Sequence, residues 1–254
     1  MGVSRTILLP AGTPMSRPST HEGKSNGLAA QCGTTEDSWR LAQEHPDLFL
    51  WGANEVTDLD EAPAVLEGWL KKGASIIGEQ KFDVACDSEA SQKLYALAGD
   101  YGVPILLHFQ FEKYNRGFER FHSMLEKYPQ TKFIGHAQTM WGNIDREHVQ
   151  KDLYPKGSVT PGGLTDRYLA DYPNFFADMS AGSGLNALTR DEDHARAFLK
   201  RHQDKLIYGS DCKDHLGRGP GCQGASTIAA IRRLAETPVA AKLLSGNARR
   251  LFAL

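Results

Sequence analysis

Short apolar runs alternate along the chain with longer segments whose apolar residues return every three or four positions. The runs RTILLP (5–10), FLWGA (49–53), SIIGEQKF (75–82), PILLH (104–108), KFIGH (132–136), NFFADMS (174–180) and LIYGSD (206–211) read as seven strands. Between them, 35–44, 60–72, 88–101, 118–128, 164–170 and 191–201 read as helices, and 225–235 and 239–252 close the chain as two more. The segment 60–72 carries its own punctuation: an acidic start, Pro63 in the first turn, Lys71 and Lys72 at the end and Gly73 as a stop.

Strand and helix alternating at roughly thirty residues per repeat predict parallel strands joined by crossover helices. Runs such as ILL and FIG lack polar alternation, which fits strands covered on both faces. Two α/β architectures satisfy this pattern, a doubly wound open sheet and a (β/α)8 barrel of the TIM type. No G-x-G-x-x-G or phosphate-binding loop follows any strand, so a nucleotide-binding sheet lacks its usual support. The 254 residues suit a single barrel domain, 1–254, and no linker divides them.

Composition removes several partners. The net charge of -2 argues against a bulk electrostatic partner such as nucleic acid or an anionic membrane. No apolar run approaches the ~18 residues that span a bilayer. Cys32, Cys86, Cys212 and Cys222 include no C-x-x-C pair and are too few for a disulfide framework, which predicts a reducing cytoplasm. Cys212 and Cys222 flank a Gly-rich stretch holding Asp214 and His215, but their spacing matches no standard zinc pattern.

The candidate chemistry lies where strands end. His108 and His136 close two apolar runs, and Asp211 closes a third. A single strand-end histidine is more often a hydrogen-bonded residue at the edge of the core than a ligand. Two imidazoles and a carboxylate at the same end of parallel strands suit zinc or a similar divalent ion. Such an ion lowers the pKa of bound water toward neutrality, and Asp211 could ligate it or take the proton.

The segments PILLHFQ, KFIGHAQ, FFADMS, KLIYGSDC and KLLSGNARRLF, in that order, resemble the amidohydrolase-related metal-dependent hydrolases. That TIM-barrel group includes the aminocarboxymuconate-semialdehyde decarboxylase-like enzymes. The resemblance runs over nearly the whole chain, and GSDC and GNARRLF are its most specific pieces. It implies that His108 binds the metal, that His136 is a further ligand or a catalytic side chain, and that Asp211 is both ligand and proton handler. Relatives also place a bridging carboxylate or modified lysine near Glu79 and Lys81, which makes Glu79 a fourth candidate ligand. A solvated or salt-bridged Lys81 is the plainer expectation.

Members of this group open with a strand ending in His-x-His, and this sequence contains no His-x-His. The first βα unit therefore reads as absent, through a truncated start or a true variant. The chain as written is expected to hold metal weakly and to have little activity. Exposed strand edges would favour homo-oligomers.

Substrate contacts are expected from Arg17 and His21 in the long segment after the first strand, which also holds Lys24, and from His215 and Arg218 after Asp211. These cationic, Gly-rich stretches suit an acidic small molecule or stand simply as solvated loops. Asp178 and Ser180 share a face of their strand and can line the pocket or cap the following turn. Trp141 can stack on a flat substrate or anchor its loop. The combined expectation is a hydrolase of an amide, ester or lactone. Non-oxidative decarboxylation of an aromatic or unsaturated acid, or a non-catalytic barrel binding a small molecule or partner, are its rivals.

Overall fold

The computed structural model describes residues 2–12, 33–212, 217 and 221–254. Seven strands and eleven α-helices occur among the described residues. The strands are β1 (Thr6–Leu8), β2 (Phe49–Trp51), β3 (Ile77–Gln80), β4 (Ile105–His108), β5 (Phe133–His136), β6 (Phe175–Asp178) and β7 (Leu206–Ile207). Strands β1 and β2 form one sheet. The chain divides into two compact units, Gly2–Phe133 and Ile134–Leu254.

In the N-terminal unit, β1 pairs in parallel with β2 and β3 with β4. A parallel bridge between Ala53 and Ile77 joins the two pairs. The helices are α1 (Thr35–Glu44), α2 (Ala62–Lys71), α3 (Glu89–Asp100) and α4 (His122–Lys127). Thr34 opens α1 with a capping box closed by Asp37. Ser88 caps α3, accepting the amide of Ser91 at 3.2 Å. Tyr95 of α3 is the centre of the core, edge-on to Phe121, Tyr128 and Phe133, and its hydroxyl donates to the Cys86 carbonyl at 2.7 Å. The single helix expected over 118–128 is instead a 3-10 turn, Phe118–Arg120, followed by α4.

In the C-terminal unit, β6 pairs in parallel with β7. Its helices are α5 (Gln138–Gly142), α6 (Leu164–Asp171), α7 (Ala181–Thr189), α8 (Glu192–Arg201), α9 (Gln223–Leu234), α10 (Thr237–Ala241) and α11 (Asn247–Leu251). Asp191 caps α8, which starts with Glu192 and Asp193 and ends with Lys200 and Arg201, matching charge to the helix dipole. The last helix expected from sequence is broken, with a π turn at Lys242–Gly246 between α10 and α11. Asn247 of the GNARRLF segment is buried, and its amide donates to the carbonyls of Gln203 and Leu206 at 2.6 and 2.7 Å. That residue therefore fixes the start of β7.

The strand expected over 206–211 is shorter than its sequence suggests. β7 stops at Ile207, and Asp211 lies beyond it, exposed and with a left-handed backbone (φ 46°). No helix among the described residues is long and apolar enough to cross a membrane.

Candidate metal centre

In the N-terminal unit, β3 and β4 bring Glu79 against His108. The Glu79 Oε1 lies 2.5 Å from His108 Nδ1, and both side chains are almost withdrawn from solvent. A carboxylate only accepts, so Nδ1 donates in this pair, and Nε2 is the ring's other nitrogen. The carboxamide oxygen of Gln110 stands 3.3 Å from that Nε2. Tyr114 packs edge-on against the same ring at 5.5 Å.

Two asparagines hold the ends of these strands. Past the last ladder bonds, the backbone carbonyls need other donors. Asn115 supplies both of its N–H groups, to the Gln80 carbonyl at 2.7 Å and the His108 carbonyl at 3.0 Å. Asn54 donates to the carbonyls of Glu79 at 2.7 Å and Pro10 at 3.1 Å. Gln80 in turn donates to Asn54 Oδ1 at 2.5 Å and accepts from Thr57 at 2.7 Å. All of these side chains are buried, so the strand ends form a closed polar network with a fixed shape.

The C-terminal unit repeats the device. His136 Nδ1 lies 2.9 Å from Asp178 Oδ2, at the ends of β5 and β6. The hydroxyl of Ser180 donates to the same carboxylate, and its amide donates to Oδ1 at 3.2 Å. Ser180 Oγ is also 3.3 Å from His136 Nδ1. Serine and aspartate thus address the same ring nitrogen. A nucleophilic triad needs them on opposite nitrogens, so this trio is not arranged for serine-type catalysis. Ser180 occupies the N-cap position of α7, yet its hydroxyl is turned to Asp178 rather than to the helix.

Glycines make room for this arrangement. A Cβ on Gly209 would stand 2.5 Å from Asp178 Oδ1, so the Y-G-S-D segment passes Asp178 only with glycine there. A Cβ on Gly135, just before His136, would meet the Phe175 ring at 2.7 Å.

The other expected residues take varied places. Trp141 is buried, donates its indole N–H to the Asp178 carbonyl at 2.9 Å and packs on Phe198. It is an anchor beneath Asp178, and the stacking role on a flat substrate is corrected because its ring faces protein. Lys81 sits with its ammonium 5.7 Å from the Tyr114 ring centroid. Asp211 is not the end of a strand, since the left-handed turn it sits in follows Gly209 and Ser210. Arg17, His21, Lys24, His215 and Arg218 lie outside the described residues. Asn54, Gln80 and Asn115 escape a sequence reading because little local marks them: most of their side-chain partners are 23 to 44 residues away, the exceptions being the His108 carbonyl that Asn115 holds and the Glu55 amide that Asn54 accepts.

Imidazole nitrogens and carboxylate oxygens are the donor set of zinc and related divalent ions, so Glu79, His108 and His136 fit that role by chemistry. An imidazole whose Nδ1 is tied to a carboxylate is oriented and made more basic at Nε2, the arrangement found behind metal-bound histidines.

The sequence profile of the amidohydrolase family matches residues 32–254. No curated protein matches the chain. Among solved structures, the chain is similar to an uncharacterized TIM-barrel protein, Bb4693, from Bordetella bronchiseptica, with 17% identity and a TM-score of 0.66 over 98% of this chain and 78% of that one. It is similar to the 5-carboxyvanillate decarboxylase LigW of Sphingomonas paucimobilis at 14% identity and TM-score 0.57, covering 100% and 80%. It is also similar to a probable 2-pyrone-4,6-dicarboxylic acid hydrolase of Acinetobacter baumannii, solved with citric acid, at 14% identity and TM-score 0.58, covering 99% and 84%. The fold is therefore that of the TIM-barrel group, one of the two architectures its strand and helix alternation allows and the one its resemblance implies.

Proposed function

The chain belongs to the amidohydrolase family, and from that premise we propose that it is a metal-dependent hydrolase of an amide, ester or lactone in a small acidic substrate. The proposed ligands of its divalent cation, zinc by donor type, are His108, His136 and Glu79, with Asp211 added on the family resemblance alone. The observation that carries this reading is the repeated pairing of a strand-end imidazole with a carboxylate, His108 with Glu79 and His136 with Asp178.

When bound, the cation supplies Lewis acidity and a more acidic water. The chain's own groups do the rest in this reading. His136, held by Asp178 through Nδ1, has one nitrogen left, Nε2, which serves either as a ligand to the cation or to polarise the reacting group. Asp178 keeps that ring in one orientation and stabilises positive charge on it. Asp211 takes the proton from the attacking water and passes it to the leaving group. Glu79 has two oxygens, so holding His108 through one is compatible with ligation through the other. The cationic residues Arg17, His21, His215 and Arg218 are the proposed recognition groups for the substrate's acid.

The second reading is metal-dependent decarboxylation of an aromatic or unsaturated acid. The named structural relatives include a decarboxylase as well as a probable hydrolase, at the same 14% identity. One experiment separates the two: the zinc-loaded protein is assayed for lactone and ester opening by proton release and for CO2 release from aromatic acids. Proton release without CO2, lost in Asp211→Asn, is the expected result. CO2 release alone selects the decarboxylase. Turnover of neither class would leave a barrel that binds without catalysing.

A further inference from the structure

Cys212 and Cys222 lie ten positions apart in sequence, yet their sulfurs approach to 2.8 Å. Cys222 is fully buried and stands at the N-cap of α9, while Cys212 is partly open to solvent. The first amides of α9 point at both sulfurs. Gly224 N–H donates to Cys212 Sγ at 3.1 Å, and Ala225 N–H donates to Cys222 Sγ at 3.4 Å. Tyr208 borders the same place, its hydroxyl donating to the Gly224 carbonyl at 3.3 Å. The third described cysteine offers a contrast. Cys86 is buried in the N-terminal unit, and burial pushes its thiol up to about 12.

We propose that Cys212 and Cys222 are a redox-modification site, a dithiol that low-molecular-weight disulfides of the glutathione class convert reversibly to an internal disulfide. The order of events follows from exposure. The thiolate of Cys212 attacks one sulfur of the small disulfide, forming a mixed disulfide and releasing one thiol. Cys222 Sγ, already in reach, then attacks Cys212 Sγ and expels the second thiol. Two protein thiols and one small disulfide give one protein disulfide and two small thiols, so electrons and protons balance. The oxidised form ties the segment after Asp211 covalently to the start of α9, a helix whose buried face includes Ile228 and Ile231. The proposal is independent of the metal reading, and its test uses neither metal nor substrate.

The test is peptide mapping, without reduction, of the full chain carrying Cys32→Ser after incubation with oxidised glutathione. The expected map contains a peptide linked through residues 212 and 222 that dithiothreitol removes, with Cys86 unmodified. In Cys222→Ser, a stable glutathione adduct accumulates on Cys212, since no thiol is left to resolve it. In Cys212→Ser, Cys222 stays unmodified. A wild-type chain that keeps the adduct on Cys212 with no internal link overturns the proposal. So does a chain whose thiols at 212 and 222 both remain open to alkylation after this treatment.

Discussion

The Nδ1 of His136 and the Oδ2 of Asp178 lie 2.9 Å apart, with Ser180 bound to the same carboxylate. Removing the charge at 178 leaves the ring in place but weakens its hold. Asp178→Asn is expected to lower zinc affinity or turnover about 10–100-fold, the usual cost of losing a carboxylate behind a ligating histidine. Calorimetric zinc titration of the variant beside the wild type checks this, and equal affinities would remove Asp178 from the account.

Asn115 satisfies two buried carbonyls at the ends of β3 and β4. Asn115→Ala leaves both without that donor and is expected to cost about 2 kcal/mol. Urea unfolding followed by circular dichroism measures it, and a loss within experimental error would show that other donors replace Asn115.

Gly209 passes so close to Asp178 that a methyl group there meets Oδ1 at 2.5 Å. Gly209→Ala is expected to displace the carboxylate from His136 and to destabilise by roughly 1–3 kcal/mol, as overpacking does. A lowered Tm together with weakened zinc binding is the expected pair of results. A lowered Tm with unchanged zinc binding would mean that Asp178 does not orient His136.

Acid stability offers a test away from the site. Burial alone would raise the Asp166 carboxyl, but the hydrogen bond from His202 at 2.5 Å and the charge of Arg201 outweigh it and hold the group below its ordinary value. A depressed native pKa contributes stability that is present above the unfolded pKa of about 3.9 and lost as pH falls through the native value. Asp166→Asn is therefore expected to lower Tm at pH 7 and to narrow its gap from wild type near pH 3. A gap of the same size at both pH values would contradict the assignment.

The strand ends were legible because burial on both faces writes itself as continuous apolar sequence, as in ILLH of β4 and FIGH of β5. Helices α2, with Pro63 in its first turn and Lys71 at its end, α3, capped by Ser88, and α8, capped by Asp191 and charged at both ends, were legible for a similarly local reason. Helix α7 was not, because AGSGLNALT has two glycines, no side-chain cap at its start and no charged end. Its small residues serve tight packing instead, with the Gly184 Cβ position only 2.3 Å from the Met179 carbonyl. β7 was read too long because LIYGSD is apolar and β-prone at its start, while Gly209 and the left-handed turn at Asp211 end the ladder early. At the site, His108, His136 and Glu79 were named from sequence, but the pairings that hold them depend on residues distant in the chain and carry no motif.

The most direct measurement is zinc binding by isothermal titration of the wild-type chain, His108→Ala and His136→Ala, each checked for native circular dichroism. The account predicts weak, chelator-removable binding of one zinc per chain in the wild type and none in either folded variant. Zinc bound equally by all three proteins would contradict it.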